Sequence, residues 1–173
     1  MKSDREMAAY ADPKLGQYFL VSTGKLSKLV AAAGIRPTDE VLEVGAGIGT
    51  VARELPRSRS LTVAELDERL IGFLRQNVPH ARVLRGDALE IVQRVSCDVL
   101  ISNLPHAVTE SLLKLMPGLP FRTAVMAVGE SANLDQLGPR FSWSEITKIT
   151  GNDFIPPQPS VSRLVKVVPV REE

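Results

Sequence analysis

Short apolar runs alternate with helical patterns along most of this chain, and that alternation limits the folds open to it. "EVLEVG" (Glu40 to Gly45), "SLTVAEL" (Ser60 to Leu66), "ARVLRGDAL", "CDVLISN" and "FRTAVMAVG" (Phe121 to Gly129) each read as a strand. Between them lie segments with helical spacing. "STGKLSKLVAAAG" carries Leu26, Leu29 and Val30, with Ser22 or Thr23 as cap and Gly34 as stop. "GIGTVARELP" reads as a helix halted before Pro56, because the residue before a proline is pushed out of helical geometry. "DERLIGFLRQNV" starts on Asp67 and turns Leu70, Phe73 and Leu74 inward, and "AVTESLLKLM" follows the fourth strand. Strands that are apolar throughout need cover on both faces, which predicts a parallel sheet between helices. The last two runs, "WSEITKITGND" and "VSRLVKVVPV", follow one another without a helix and predict an antiparallel hairpin. The expected fold class is α/β, a mostly parallel seven-stranded sheet with a terminal antiparallel hairpin.

Composition narrows the function classes. A chain of 173 residues suits one domain, expected over 16–173 after a flexible polar arm at 1–15. A net charge of +1 gives no electrostatic case for nucleic acid from the total, although a local basic patch is compatible with it. Cys97 is the single cysteine, which excludes a disulfide framework and a cysteine-rich metal site. The start, "MKSDREMAAYADPK", is charged, and no run approaches the roughly 18 apolar residues of a membrane span. A cytoplasmic protein with no membrane partner is the expectation.

In sheets of this kind ligands sit beyond the carboxyl ends of the strands. The chemically informative residues lie there. "LEVGAGIGT" (Leu42 to Thr50) places Gly45, Gly47 and Gly49 between a strand and a helical pattern, where glycine lets the backbone turn sharply and a ligand approach closely. The same spacing also serves a tight turn with no ligand. Glu65 closes the second strand, where a carboxylate can accept from both hydroxyls of a ribose or stand in solvent. Asp87, in "RGDAL", can accept from an adenine amine or cap the helical pattern after it, and the two roles are compatible. "GQYFL" (Gly16 to Leu20) fits either a segment docking on a pocket or ordinary core packing. "SNLPHAVT" (Ser102 to Thr109) sets a polar Asn and Pro at the end of the fourth strand, as a turn or as a site.

Taken in order, "GQYFL", "LEVGAGIGT", "VAELD", "RGDAL", "SNLP" and "FIPPQPSVS" resemble the ribosomal RNA adenine N6-dimethyltransferase family over about residues 16–170. With Glu43 the glycine turn becomes E-x-G-x-G-x-G, similar to the first motif of S-adenosylmethionine-dependent methyltransferases. The resemblance implies a Rossmann-like class I methyltransferase fold with S-adenosyl-L-methionine as cofactor. By that likeness Gln17, Leu20 and Gly45 belong beside the cofactor's methionine part, with Glu43 helping to order the loop there, Glu65 at its ribose and Asp87 with Ala88 at its adenine, and Gly47, Leu66 and Asn103 are cofactor-binding as well. Asn103, Leu104 and Pro105 become the acceptor clamp. The Asn103 side-chain oxygen and the Leu104 carbonyl would take the two hydrogens of an adenine N6 amine, and Pro105 would stiffen the loop.

Four departures stand out. The family places a large aromatic after the clamp to stack on the target base, and this chain has His106, a smaller ring. The late family pattern F-x-P-x-P-x-V-x-S keeps Phe154, Pro156 and Ser162 but has Gln158 and Ser160 for the second Pro and the Val. Phe154 is expected either to face the target base from the other side or to fill the core. The segment "GESANLDQLGPRFS" is short for the family, and the chain is expected to be a short member without the family's C-terminal helical domain. These departures reduce the surface for phosphate contacts. Arg53, Arg57 and Arg59, with Arg82 and Arg85, are the basic clusters left, and a protein partner supplying RNA-binding surface is compatible with the sequence. Three function classes follow. The first is an RNA adenine N6-methyltransferase. The second is a methyltransferase of a small molecule or protein. The third is a non-catalytic cofactor-binding assembly protein on the same fold.

Overall fold

The structure is a computed structural model that describes residues 4–170, with side chains from Glu6 onward. Five helices are present among the described residues: α1 (Asp4–Ala8), α2 (Thr23–Ala33), α3 (Glu68–Asn77), α4 (Ala88–Arg94) and α5 (His106–Leu115). The strands are β1 (Phe19–Leu20), β2 (Glu40–Val44), β3 (Ser60–Glu65), β4 (Arg82–Arg85), β5 (Val99–Ser102), β6 (Thr123–Gly129), β7 (Phe141–Ile149), β8 (Phe154–Ile155) and β9 (Ser162–Pro169).

Seven strands form one sheet in the order β4-β3-β2-β5-β6-β9-β7. The first five in that order are parallel, and β9 lies antiparallel between β6 and β7. The expected sheet and its terminal antiparallel hairpin are therefore present. The alternation of side chains along each strand explains the double cover. Val41, Val99, Ile101 and Val125 face one layer, where Leu26 and Leu29 of α2 and Leu74 of α3 pack. Leu42, Val44, Leu100 and Met126 face the other, against Ile91 of α4 and Leu112 and Leu113 of α5.

Three differences from the sequence reading have local causes. The helix expected over "GIGTVARELP" is only a 3-10 turn, Ala52–Glu54. Gly45, Gly47 and Gly49 all take positive φ, so helical geometry cannot begin before residue 50, and Pro56 closes the segment soon after. The expected flexible arm is folded where it is described: α1 is followed by a 3-10 turn at Pro13–Leu15, and Met7 is buried with Phe19, Ile48 and Leu70. The part of that arm at 1–3, and the last three residues of the expected domain, lie outside the described residues. Finally, β1 and β8 form a separate two-stranded sheet that pairs Leu20 with Phe154 and Phe19 with Ile155. Strands of two residues carry no periodicity from which to read them.

Candidate active site

A cleft of about 690 Å³ opens at the carboxyl ends of β2, β3 and β5, and the glycine turn after β2 forms its floor. The amides of Gly45 and Ala46 both donate to the Ala64 carbonyl at 3.0 Å, which folds the turn back over β3. Gly45 has φ 74°, and a Cβ there would lie 2.7 Å from Leu104 Cδ2 and 2.8 Å from the Asn103 carbonyl oxygen. A Cβ on Gly47 would meet the Phe19 ring at 2.8 Å. Missing side chains at these two positions let β1 and the "NLP" segment close on the turn.

Carboxylates line the wall beside it. Glu65 is nearly buried at the end of β3. Its Oε2 accepts from the Gly47 amide at 2.8 Å and its Oε1 from the Asp67 amide at 2.9 Å. Burial raises its pKa, and the backbone N–H groups of Asp67, Gly47 and Leu66 oppose that rise. Glu43 is fully buried next to it, and its Oε2 has no partner. Burial first, and the Glu65 charge second, push its carboxyl up to about 8. A buried, orphaned carboxylate oxygen lining a cleft is costly unless a ligand donor meets it. Asp67 differs: the Arg69 guanidinium, 2.6 Å from its Oδ2, holds it well below the usual carboxylate range despite some desolvation, with help from the Gln17 amide.

The expected site residues divide clearly. Gln17, Glu43, Gly45, Gly47, Glu65, Leu66, Asp87, Ala88, Asn103, Leu104, Pro105 and His106 all line the cleft. Gln17 is committed to the protein, accepting from the Asp12 amide and donating to Asp67 Oδ2, both at 2.8 Å. It ties the N-terminal segment across the cleft wall. Leu66 is 64% exposed, an apolar side chain at the mouth that a planar ligand can cover. Asp87 caps α4 by accepting from the Leu89 amide at 2.7 Å and also lines the cleft.

The contact expected of Leu20 is corrected, and of the two readings of Phe154 the core one holds. Leu20 is fully buried and Phe154 is 2% exposed; they oppose each other in the β1–β8 ladder and point into the core. Neither reaches the cleft. Side chains alternate along a strand, so Phe19, the neighbour of Leu20, meets the glycine turn instead. On the other side Gln158, Pro159 and Ser160 form the wall expected of Phe154. Asp12 and Asp67 were missed as parts of the wall; the helix-capping signal of Asp67 was the one trace of its importance.

The clamp itself is set by α5. The Thr109 hydroxyl donates to the Leu104 carbonyl at 3.3 Å and to the Pro105 carbonyl at 3.2 Å, and the Thr109 amide closes the first turn on Pro105. Pro105 also lies under Gly16, where a Cβ would stand 3.0 Å away. Asn103 lines the cleft, and its side chain has no hydrogen-bond partner among the described residues. The basic clusters are partly neutralised: Arg53 pairs with Glu54, Arg59 with Glu40 and Arg85 with Glu68.

Residues 9–128 match the family model described as ribosomal RNA adenine dimethylase, which covers the glycine turn, the carboxylates and the clamp. The chain belongs to that family. A ribosomal RNA small subunit methyltransferase A of Dehalococcoides mccartyi (strain CBDB1) is 35% identical over 178 aligned residues, 89% of this chain and 61% of the relative. This chain thus spans about three-fifths of that relative's length. Two solved structures share the fold. A dimethyladenosine transferase from Plasmodium falciparum superposes with a TM-score of 0.78 at 23% identity, covering 88% of this chain and 63% of the other. The 23S rRNA methyltransferase ErmE superposes with a TM-score of 0.77 at 24% identity, covering 89% and 70%. The fold is that of a class I methyltransferase. Among the described residues no helix is long and apolar enough to cross a membrane, and no acidic, histidine or cysteine cluster is arranged to hold a metal ion.

Proposed function

We propose that this chain is an S-adenosylmethionine-dependent N-methyltransferase acting on adenine N6 in RNA. One observation carries the reading: the glycine turn and the "NLP" segment are in van der Waals contact through Gly45, Asn103 and Leu104. A cofactor seated on the turn and an amine held by the clamp then share one cleft.

The residues present fit the cofactor's chemistry. Its ammonium and hydroxyl groups are donors, and the cleft offers acceptors. Glu43 has an unpartnered Oε2, Asp87 faces the cleft, and Glu65 keeps lone pairs beyond the two that Gly47 and Asp67 use. S-adenosylmethionine, when bound, supplies a methyl group on a positively charged sulfur. The chain's part is to prepare the nucleophile. An adenine N6 amine is weak because its lone pair is delocalised into the ring. If Asn103 Oδ1 and the Leu104 carbonyl each accept one N–H, the nitrogen moves towards tetrahedral geometry and its lone pair becomes available. The Leu104 carbonyl keeps one acceptor position, because Thr109 uses only the other. Catalysis of this type is positioning and electrostatics without a covalent intermediate.

The D. mccartyi relative is a ribosomal RNA small subunit methyltransferase by name, which supports RNA as the acceptor class. The test incubates the protein with methyl-labelled S-adenosylmethionine and a cell extract, then separates RNA, protein and small molecules. Label in RNA is the expected result. Label confined to protein or to small molecules overturns the RNA assignment, and no binding of the cofactor by calorimetry overturns the enzyme assignment.

A further inference from the structure

Two of the departures from the family pattern, His106 and Gln158, are joined by a single buried hydroxyl. Gln158 Nε2 donates to Ser162 Oγ at 2.7 Å, and the same Oγ lies 3.0 Å from His106 Nε2. Ser162 is 1% exposed, whereas His106 and Gln158 both line the cleft. Ser162 and Gln158 lie beyond the residues 9–128 that match the family.

Each side of the arrangement makes further contacts. Gln158 spends its second amide hydrogen on the Ser160 carbonyl at 2.9 Å, and its own backbone amide donates to the Gly151 carbonyl at 3.2 Å. A Cβ on Gly151 would strike the Gln158 carbonyl oxygen at 2.5 Å, so glycine lets this loop close. Beneath the imidazole lies Gly129, the cross-strand partner of Ser162 in the β6–β9 ladder. A Cβ at Gly129 would sit 3.4 Å from His106 Nδ1, 3.6 Å from Cγ and 3.7 Å from Cε1. Approach in the ring plane at Nδ1 would leave the two carbons much farther away than the nitrogen. The nearly equal distances put that position over the ring face. The imidazole therefore turns one face toward Gly129, whose missing side chain leaves room for it, and its Nε2 edge meets Ser162.

We propose that Ser162 and Gln158 are positioning residues that hold His106 as a flat platform for the acceptor base, in place of the larger aromatic that the family resemblance leads one to expect. The proposal rests on the reading of the cleft as a methyl-acceptor site for adenine in RNA. A small ring offers less stacking area than a large one, and a mobile ring loses more of it to disorder. Fixing the ring at an edge and a face recovers part of that loss, as preorganisation does in general.

The test uses small-subunit ribosomal RNA as methyl acceptor and compares wild type with Ser162→Ala, Gln158→Ala, His106→Phe and the double variant His106→Phe with Ser162→Ala. Gln158→Ala alters a half-buried side chain in a loop and keeps the test usable if Ser162→Ala unfolds. Ser162→Ala and Gln158→Ala are expected to raise the acceptor KM roughly tenfold, the scale of base stacking. Their kcat and cofactor affinity are expected to stay within about twofold of wild type. In the His106→Phe background Ser162→Ala is expected to add nothing, because the residue it acts through no longer has a nitrogen. A shift of the His106 imidazole ¹⁵N resonances in Ser162→Ala is the spectroscopic counterpart. An unchanged KM in both single variants, or the same KM increase with Phe at 106, overturns the platform while leaving the acceptor reading intact. Wild-type protein that transfers no methyl to RNA overturns the reading and the platform with it.

Discussion

Gly45 and Leu104 touch: with a Cβ on Gly45, Leu104 Cδ2 would be 2.7 Å away and the Asn103 carbonyl oxygen 2.8 Å away. The turn that follows β2 and the clamp that follows β5 are thus packed against each other, and the strand pairing of β2 with β5 in parallel register makes that possible.

The contact predicts a double effect for Gly45→Ala. The new methyl overlaps the clamp, and the positive φ of 74° disfavours any residue but glycine. Overpacking plus backbone strain is expected to cost about 2–4 kcal/mol of stability. Cofactor affinity is expected to fall at least about tenfold, since the turn is displaced. Urea unfolding and calorimetric titration read the two effects separately.

Asn103→Ala separates chemistry from binding. The Asn103 side chain has no partner among the described residues, so its loss leaves stability near wild type. If its oxygen stabilises the amine in the transition state, kcat falls by roughly 10²-fold, the scale of one preorganised polar contact. Cofactor affinity stays close to wild type. Single-turnover methyl transfer checks the first expectation and calorimetry the second.

Glu65→Gln replaces an acceptor by a donor at one of two sites. Glu65 accepts from the amides of both Gly47 and Asp67, and an amide side chain can serve only one of them with its oxygen. The remaining backbone N–H faces an NH2 group, which is expected to destabilise the fold by about 1–3 kcal/mol. Thermal unfolding with and without S-adenosylmethionine measures it, and the ligand-induced rise in Tm is expected to shrink as well.

Glu43 gives a pH dependence of definite sign. Its folded pKa, about 8, lies above the ordinary value of 4.5. Between those values the folded protein keeps a proton that the unfolded chain releases, so the Glu43 contribution to stability is full below the lower value. It falls as pH rises to the upper one and is constant beyond. Glu65, also raised by burial, adds a slope of the same sign. Asp67, held low by Arg69, contributes in the opposite sense only in acid, where stability is lost as pH falls below its ordinary 3.8. Glu43→Gln carries no such proton and is expected to gain stability relative to wild type as pH rises from about 5 to about 8. Urea midpoints at a series of pH values test the sign.

The main sheet was legible because its strands are continuous apolar runs, and that signal follows directly from burial on both faces. Glu65, Asp87 and Asn103 were legible because each is a polar residue placed just after such a run. Leu20 and Phe154 were not, because the face a side chain takes in a two-residue strand depends on a partner far away in the chain. The missing helix after Gly49 depended on backbone angles that the pattern "GIGTVAREL" does not reveal. The N-terminal segment looks polar in sequence, yet Met7 is buried and the Tyr10 ring packs tilted against Phe73 with centroids 4.0 Å apart, single apolar residues whose packing no periodicity announces. Ser162 was legible as the last residue of the late family pattern, but its contact with His106 and Gln158 was not, because it joins residues 56 and 4 positions away across the fold.

The central claim is that Asn103 and Leu104 present an adenine N6 amine to a methyl donor seated on the Gly45 turn. The most direct measurement incubates wild-type protein and Asn103→Ala with small-subunit ribosomal RNA and methyl-labelled S-adenosylmethionine, digests the RNA to nucleosides, and identifies the labelled species by mass spectrometry. The account predicts label on N6 of adenosine with wild type and its near-complete loss with Asn103→Ala. Label on any other atom or nucleoside, or full N6 labelling by Asn103→Ala, would contradict it.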